Sequence, residues 1–278
     1  MTTTKKTLVI YHGNCLDGFG AALAAWCLFG DEADYVPALY GDNPPHVPNR
    51  EVVIVDFSYK RAVLEQMATV ATSLRVFDHH KTAQADLDGF PGAVFDMESS
   101  GATLTWKNLM EGRGTFFENM PQLLRHIEDR DLWRFKMHGT RAVCLALAAL
   151  PRTFEAWNQH LYDVMELLRD GDAMISYQDG LVRQMVEQAR WQLVGRYSVP
   201  VVNASVCFSE VGDALCMAFP DAPFAAYYFD RADGMRQWGV RSRGGFDVSV
   251  VAKMFGGGGH EAAAGWTQKL DPVDYGRG

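Results

Sequence analysis

The sequence predicts an α/β fold: an N-terminal, mostly parallel sheet with helices on both faces, a linking helix, and a smaller C-terminal α/β domain. Three observations carry this. Short, continuously apolar strand patterns alternate with helical patterns over the first hundred residues, as in a parallel sheet covered on both faces. Mainly helical patterns then run from about 115 to 195. A second β-rich stretch with a hairpin signal follows.

The elements follow in order. "TLVIY" (7–11) is a strand, and "GFGAALAAWCLFG" (18–30) a helix closed by Gly30. "DYVPAL" is a short strand, "EVVIVDF" (51–57) a strong one, and "KRAVLEQMATVAT" (60–72) an amphipathic helix. "LRVFD" (74–78) and "GAVFD" (92–96) are further strands. "SSGATLTWKNLM" opens a helix, with Ser99 or Ser100 as its N-cap. A long helix is expected over 172–195, ending at Gly195. Beyond it come "VPVVNASV", a helix near 209–219, "FAAYYFD", "MRQWGVRS" and a helix from about Val248. "DRADG" (230–234) marks a hairpin turn, and the tail "DPVDYGRG" is expected to fray. The expected division is a first domain over 1–170, a helical linker over 171–197 and a second domain over 198–278.

With 278 residues the chain suits two domains. A net charge of −8 argues against coating long nucleic acid, which needs a basic footprint. The longest apolar run, "AVCLALAAL", stops at Pro151 and is too short for a membrane span, and the start does not read as a signal peptide. Five cysteines with no CxxC pair read as reduced thiols, which implies a cytoplasmic protein.

Ligands in open α/β sheets bind beyond the carboxyl ends of the strands. Here the first strand is followed by His12 and Asp17, the second ends at Asp56, and the third ends at Asp78 with His79 and His80 behind it. Three strands thus deliver carboxylates and imidazoles to one edge. Clustered carboxylates cannot all stay ionised without a cation. A divalent metal pair resolves the conflict, and His plus Asp ligands suit manganese, iron or zinc rather than calcium. A fourth acidic candidate lies in "IEDRDLWRF" (127–135), where Asp129 or Asp131 can close the metal shell. In the C-terminal stretch "FDVSVVAKMFGGGGHEAAAG" (246–265), Gly256, Gly257, Gly258 and Gly259 expose amides that can nest an anion, and His260 adds a donor. "WGVRSR" places Arg241 and Arg243 near a strand end, where an Arg fork suits a phosphate. A dimetal centre and a phosphate cradle together point to phosphoester hydrolysis.

In that order the motifs resemble the DHH phosphoesterases with a C-terminal DHHA1 domain, over nearly the whole chain. The matching segments are "HGNCLDG" (12–18), "VDFS" (55–58), "DHHK" (78–81), "SSGAT", "EDRDLWRF" (128–135) and "FDVSVVAKMFGGGGHEAAAG". The resemblance implies a DHH catalytic domain, a DHHA1 substrate-binding domain and two divalent ions, Mn²⁺ first among them. It implies that His12 and Asp17 hold one metal, that Asp56 bridges both, and that His79 and Asp129 hold the second. His80 would face the substrate phosphate, with Asp78 and Asp131 supporting from behind. Arg241, Gly256–Gly259 and His260 would grip the nucleotide's phosphate. One position departs from the pattern: many relatives carry a further Asp two residues after Asp17, where this chain has Phe19, and Asp131 or Asn14 would compensate.

The expected activity is hydrolysis of short nucleotides, either oligonucleotides of a few residues or a 3′,5′-bisphosphate nucleotide, in the manner of the oligoribonuclease and bisphosphate-nucleotide phosphatase branch. The alternatives are an exonuclease on single-stranded DNA, a cyclic or linear dinucleotide phosphodiesterase, and a non-catalytic nucleic-acid-binding module. No membrane partner is expected, and the oligomeric state is open.

Overall fold

In the computed structural model, residues 5–111, 113 and 119–270 are described; the tail expected to fray lies outside them. The chain divides into two units, Met1–Ile175 and Ser176–Gly278.

The first unit is built on five parallel strands: β1 (Thr7–His12), β2 (Ala33–Ala38), β3 (Glu51–Val55), β4 (Ser73–Asp78) and β5 (Ala93–Phe95). Their spatial order is β2-β1-β3-β4-β5. The winding reverses between β1 and β3, so a crevice opens beyond the carboxyl ends of those two strands. Helices α1 (Leu16–Phe29), α2 (Arg61–Val70), α3 (Lys81–Asp86) and α4 (Gly101–Met110) follow β1, β3, β4 and β5.

Strand residues alternate between two cores, as a period of two requires. Val9, Val53, Val55 and Phe77 pack with α1, α4, α5 (Gln122–Asp131), α6 (Thr140–Ala149) and α7 (Phe154–Asn158). Leu8, Ile10, Val52, Ile54 and Val76 pack with Leu64 and Met67 of α2. Leu8, Ile10, Ile54 and Leu64 are fully buried, each contributing about 1.5–3 kcal/mol. This is the sheet covered on both faces that the apolar strand runs predict.

Helix α8 (Met165–Val186) is the long helix, but it begins and ends earlier than expected. Arg190–Val194 instead forms strand β6, paired antiparallel with β7 (Tyr197–Asn203) so that Val194 lies opposite Tyr197. Gly195, at φ +60°, serves a two-residue hairpin turn and not a helix end. The stretch expected as linker therefore contains a strand of the second sheet. That sheet has the order β10-β11-β9-β8-β7-β6, with β8 (Ala225–Asp230), β9 (Met235–Arg241), β10 (Gly258–Gly259) and β11 (Ala263–Lys269). The β7–β8 pair is parallel and connected through α9 (Phe208–Ala218); the other pairs are antiparallel. "DRADG" makes the β8–β9 hairpin, closed by the Arg231 amide donating to the Met235 carbonyl at 2.7 Å. Helix α10 (Val248–Met254) packs Val251 into a core with Val199, Phe224, Val240 and Trp266. None of the five cysteines is in a disulfide, and among the described residues no helix is long and apolar enough to cross a membrane.

Candidate metal centre

The carboxyl edge of the first sheet collects most of the titratable residues read from the sequence. β1 ends in His12, Asp56 follows β3, and β4 ends at Asp78 ahead of His79 and His80. Asp56 turns the chain at φ +52°, a conformation Asp adopts more readily than most residues. Its amide donates to the Phe77 carbonyl at 2.9 Å, which anchors the turn to β4. The first turn of α4 lies against it: a Cβ on Gly101 would fall 2.4 Å from the Cβ of Asp56, so only glycine fits there.

His79 is the hub. It is buried, and its Nε2 lies 3.0 Å from Asp56 Oδ1, 3.4 Å from Asp17 Oδ2 and 3.6 Å from Asp131 Oδ2. Asp17 also accepts from the Gly101 and Ala102 amides at 2.5 and 3.0 Å, at the positive end of α4. The group electrostatics reflect this crowding. Burial pushes Asp17 up, with Asp56 and Asp131 adding repulsion. Burial also raises Asp131, against the pull of His79. At Asp56 burial opposes the charge, but hydrogen bonds with His12 and His79 hold it well below the usual carboxylate range. Burial also opposes the charge on His79, but Asp17 and Asp56 keep it well above the usual imidazole range.

Asp78 organises the two histidines. Its fully buried Oδ1 accepts from the His79 amide at 2.8 Å, the His80 amide at 3.3 Å and His80 Nδ1 at 2.7 Å. That last bond fixes the His80 ring. Burial works against its protonation, but Asp78 overcomes this and raises His80 above the usual range. Asp78 Oδ2 is buried without a hydrogen-bond partner among the described residues.

His12 faces the other side of Asp56, its Nδ1 3.6 Å from Asp56 Oδ2. Cys15 joins them: its Sγ is 3.3 Å from His12 Nδ1 and 3.2 Å from Asp56 Oδ2. Three donor sets share Asp56, and in each the ligand atoms lie within 4.8 Å of one another: Asp17, Asp56 and His79; His12, Cys15 and Asp56; and Asp56, Asp78 and His80. Asp17 falls in the set with His79, whereas the sequence pattern pairs it with His12. Sequence reasoning misses Cys15 as a donor; its one signal is a sulfur at a helix N-cap, where Ser, Thr, Asp and Asn are the usual residues. It misses Tyr40 too. That residue is 58% exposed, and its ring lies 5.5 Å from His12 and 6.1 Å from His80.

Asp129 and Asp131 sort differently from the expectation. Asp129 Oδ1 accepts from the Lys136 amide, and Oδ2 from the Met137 amide and Thr140 Oγ1, at 2.6–3.0 Å. It ties down the loop leading to α6. Asp131 is the one beside His79. Residues two apart on a helix point in roughly opposite directions, so one helix end cannot offer both. Phe19 does not point at the site. It is buried against Phe154 and Trp157 on the far side of α1. Asn14 is exposed.

In the second unit, Arg241 ends β9 as a buried residue, opposite Ala225 and Ala263. Arg243 is committed to Asp213 through a two-bond fork at 2.6 and 2.8 Å. The glycine run is not the open nest expected. The Gly256, Gly257 and His260 amides donate to the Lys253, Ala252 and Ala263 carbonyls, and Gly258–Gly259 pair with β11. Here glycine serves close packing: a Cβ on Gly257 would fall 2.0 Å from the Gly265 carbonyl oxygen.

No family model matches the chain. Among curated proteins it is similar to an uncharacterized protein of Acanthamoeba polyphaga mimivirus, 28% identical over 284 residues, a match that covers 93% of this chain but only 66% of the relative's length. Among solved structures it is similar to the DHH domain of a member of a ribosomal-protein family, with a TM-score of 0.56 and 13% identity over 96% of this chain and 83% of that one. RecJ of Thermus thermophilus, solved with Mn²⁺, gives 0.54 and 17% over 96% and 50%. The pGpG-specific phosphodiesterase PggH of Vibrio cholerae gives 0.51 and 12% over 96% and 94%. At these identities the likeness establishes the fold: the chain is folded as these DHH-type proteins are.

Proposed function

We propose that this chain is a DHH-type phosphoesterase that hydrolyses short nucleotide substrates with two divalent metal ions. One observation carries the reading: three carboxylates, Asp17, Asp56 and Asp131, converge on a single imidazole nitrogen at the edge where the sheet changes winding direction. One imidazolium balances one negative charge, so the cluster is fitted to a further cation. Asp17, Asp56, His79 and Asp131 would hold one ion, and His12 and Asp56 the other. Bound there, the ions supply Lewis-acid charge and lower the pKa of water. The likeness to RecJ and to the pGpG phosphodiesterase supports phosphodiester chemistry.

The protein's own groups then have defined tasks. Asp56 orders both halves of the centre from a turn that holds it rigid. Asp78 presents His80 as a charged donor to a phosphate oxygen. Tyr40 offers an exposed ring on which a base can stack. Arg241 is the cation in the second unit suited to a non-reacting phosphate, with Gly256–Gly259 and His260 shaping its surroundings by packing. The net charge of −8 favours short substrates over long polyanions.

The test is hydrolysis of a 5′-labelled ladder from two to about twenty-five nucleotides (lengths chosen for the assay, to span the site sizes of single-strand binders), with and without Mn²⁺ or Zn²⁺. A 3′,5′-bisphosphate nucleotide and a linear dinucleotide run alongside. Metal-dependent turnover that is strongest at the short end supports the proposal. Activity that rises with length transfers the chain to the exonuclease reading. Metal binding without hydrolysis of any substrate favours a binding module.

A further inference from the structure

We propose that Cys15 is a thiolate ligand of the ion held by His12 and Asp56, and that it tunes this position toward zinc or ferrous iron and away from manganese. The inference rests on the two-metal reading above and names a ligand that reading lacks.

The geometry is specific. Cys15 Sγ lies 3.2 Å from Asp56 Oδ2 and 3.3 Å from His12 Nδ1, so sulfur, nitrogen and oxygen surround one point. The same sulfur accepts the Gly18 amide at 3.1 Å at the start of α1. The Gly18 amide favours an anion there, but burial and the charges of Asp56 and Asp17 hold the thiol well above its usual range, so the thiolate forms only as a cation binds. If capping were the whole task, Ser, Thr, Asp or Asn would do it better. What sulfur adds is soft-metal affinity. A second observation points to a cation nearby: the fully buried Asp78 Oδ2 has no hydrogen-bond partner among the described residues, and the Asp78 carboxylate lies within 4.8 Å of the ligand atoms of Asp56 and His80.

The chemistry of the donors sets selectivity. Carboxylates alone suit manganese or magnesium; a thiolate with an imidazole suits zinc and iron. Binding removes the thiol proton to solvent as the metal–sulfur bond forms, so no oxidant or other reactant is needed.

The experiment uses the full chain loaded with Zn²⁺ or Co²⁺ alone. X-ray absorption at the zinc edge should show one sulfur neighbour at about 2.3 Å beside nitrogen and oxygen neighbours. The Co²⁺ form should show a sulfur-to-cobalt charge-transfer band. Cys15→Ser should lose both signals and bind Zn²⁺ at least about 10-fold more weakly. Cys15→Asp should bind Mn²⁺ more tightly and lower the Zn²⁺-to-Mn²⁺ affinity ratio by about 10-fold or more. The wild-type spectra decide the point even where a variant fails to fold. Stoichiometric Zn²⁺ with only nitrogen and oxygen neighbours overturns the role of Cys15 and leaves the metal centre standing. Failure to bind Zn²⁺, Co²⁺ or Mn²⁺ at all overturns both.

Discussion

The edge of the first sheet and the glycine-rich end of the second are both unusual in composition, yet they are built on opposite terms. At the first edge, charges of one sign are gathered and left short of counter-charge around His79. In the second unit, the amides of Gly256, Gly257 and His260 already have carbonyl partners, and Arg243 already has Asp213. Unbalanced buried charge is costly unless something binds to it. A satisfied turn needs no ligand to explain it. The difference argues for chemistry in the first unit.

The sharpest way to break this contrast is Asp56→Ala. Asp56 belongs to three donor sets, so its loss should lower kcat/KM on the order of 10³-fold, the scale of removing a major electrostatic group from an active site. The far-ultraviolet circular dichroism should be unchanged. Near-wild-type turnover in this variant would remove the dimetal model.

Next comes the pair two residues apart. Asp131→Ala should lower metal affinity and activity by roughly 10–100-fold with little loss of stability. Asp129→Ala should do the reverse. It strands the Lys136 and Met137 amides and the Thr140 hydroxyl, at a cost of about 2–3 kcal/mol in denaturant unfolding, with metal affinity kept. If the two variants exchange these behaviours, the sequence-pattern assignment of Asp129 is restored.

That pair also shows how far the sequence can be read. Strand-end positions follow from an apolar run and its last polar residue, so His12, Asp56, Asp78, His79 and His80 are legible at once. So is the doubly covered sheet, because Leu8 and Val9 must both be buried. Helix-end positions are not. Asp129 and Asp131 differ only in which way the last turn of α5 points, and that depends on the packing of Leu123, Leu124 and Ile127 against α1 and α4. Gly195 and the Gly256–Gly259 run mislead for a related reason. A glycine marks where the chain bends or comes close but does not say to what. Cys15 stays hidden because sulfur at a cap is judged by capping alone until His12 and Asp56 are seen beside it.

A gentler probe is pH, applied to the metal-free protein. His79 is raised above its unfolded value, so its contribution is complete below about pH 6.5 and is lost as pH rises through the folded value. Asp17, pushed up to about 7, and Asp131 also bind protons more tightly when folded, but their cost to stability sets in earlier, as pH climbs out of the ordinary carboxylate range. Asp56 is shifted the other way, and its contribution is lost only in acid. The Tm of chelator-treated protein should therefore fall as pH increases from about 6.5, the ordinary imidazole value, and added Zn²⁺ or Mn²⁺ should flatten the slope. A metal-free Tm that is level or rising over that range would mean the cluster is not charge-frustrated.

The smallest effect tests the second unit. Arg243 is half-exposed and paired with Asp213 on the surface. Such a pair contributes about 0–1 kcal/mol, so Arg243→Ala should change stability by no more than that and leave KM alone. Arg241 is buried at the end of β9, two residues away. Arg241→Ala should raise KM for a short substrate by about 10-fold while kcat changes little, the pattern of lost binding to a non-reacting phosphate. The contrast within one tripeptide is the informative part. Equal KM changes in the two variants would mean the strand end as a whole binds substrate, and the fork with Asp213 would then have to open. A KM effect confined to Arg241 would put the substrate's phosphate at the buried end of β9 and leave the Arg243 fork as a surface tie.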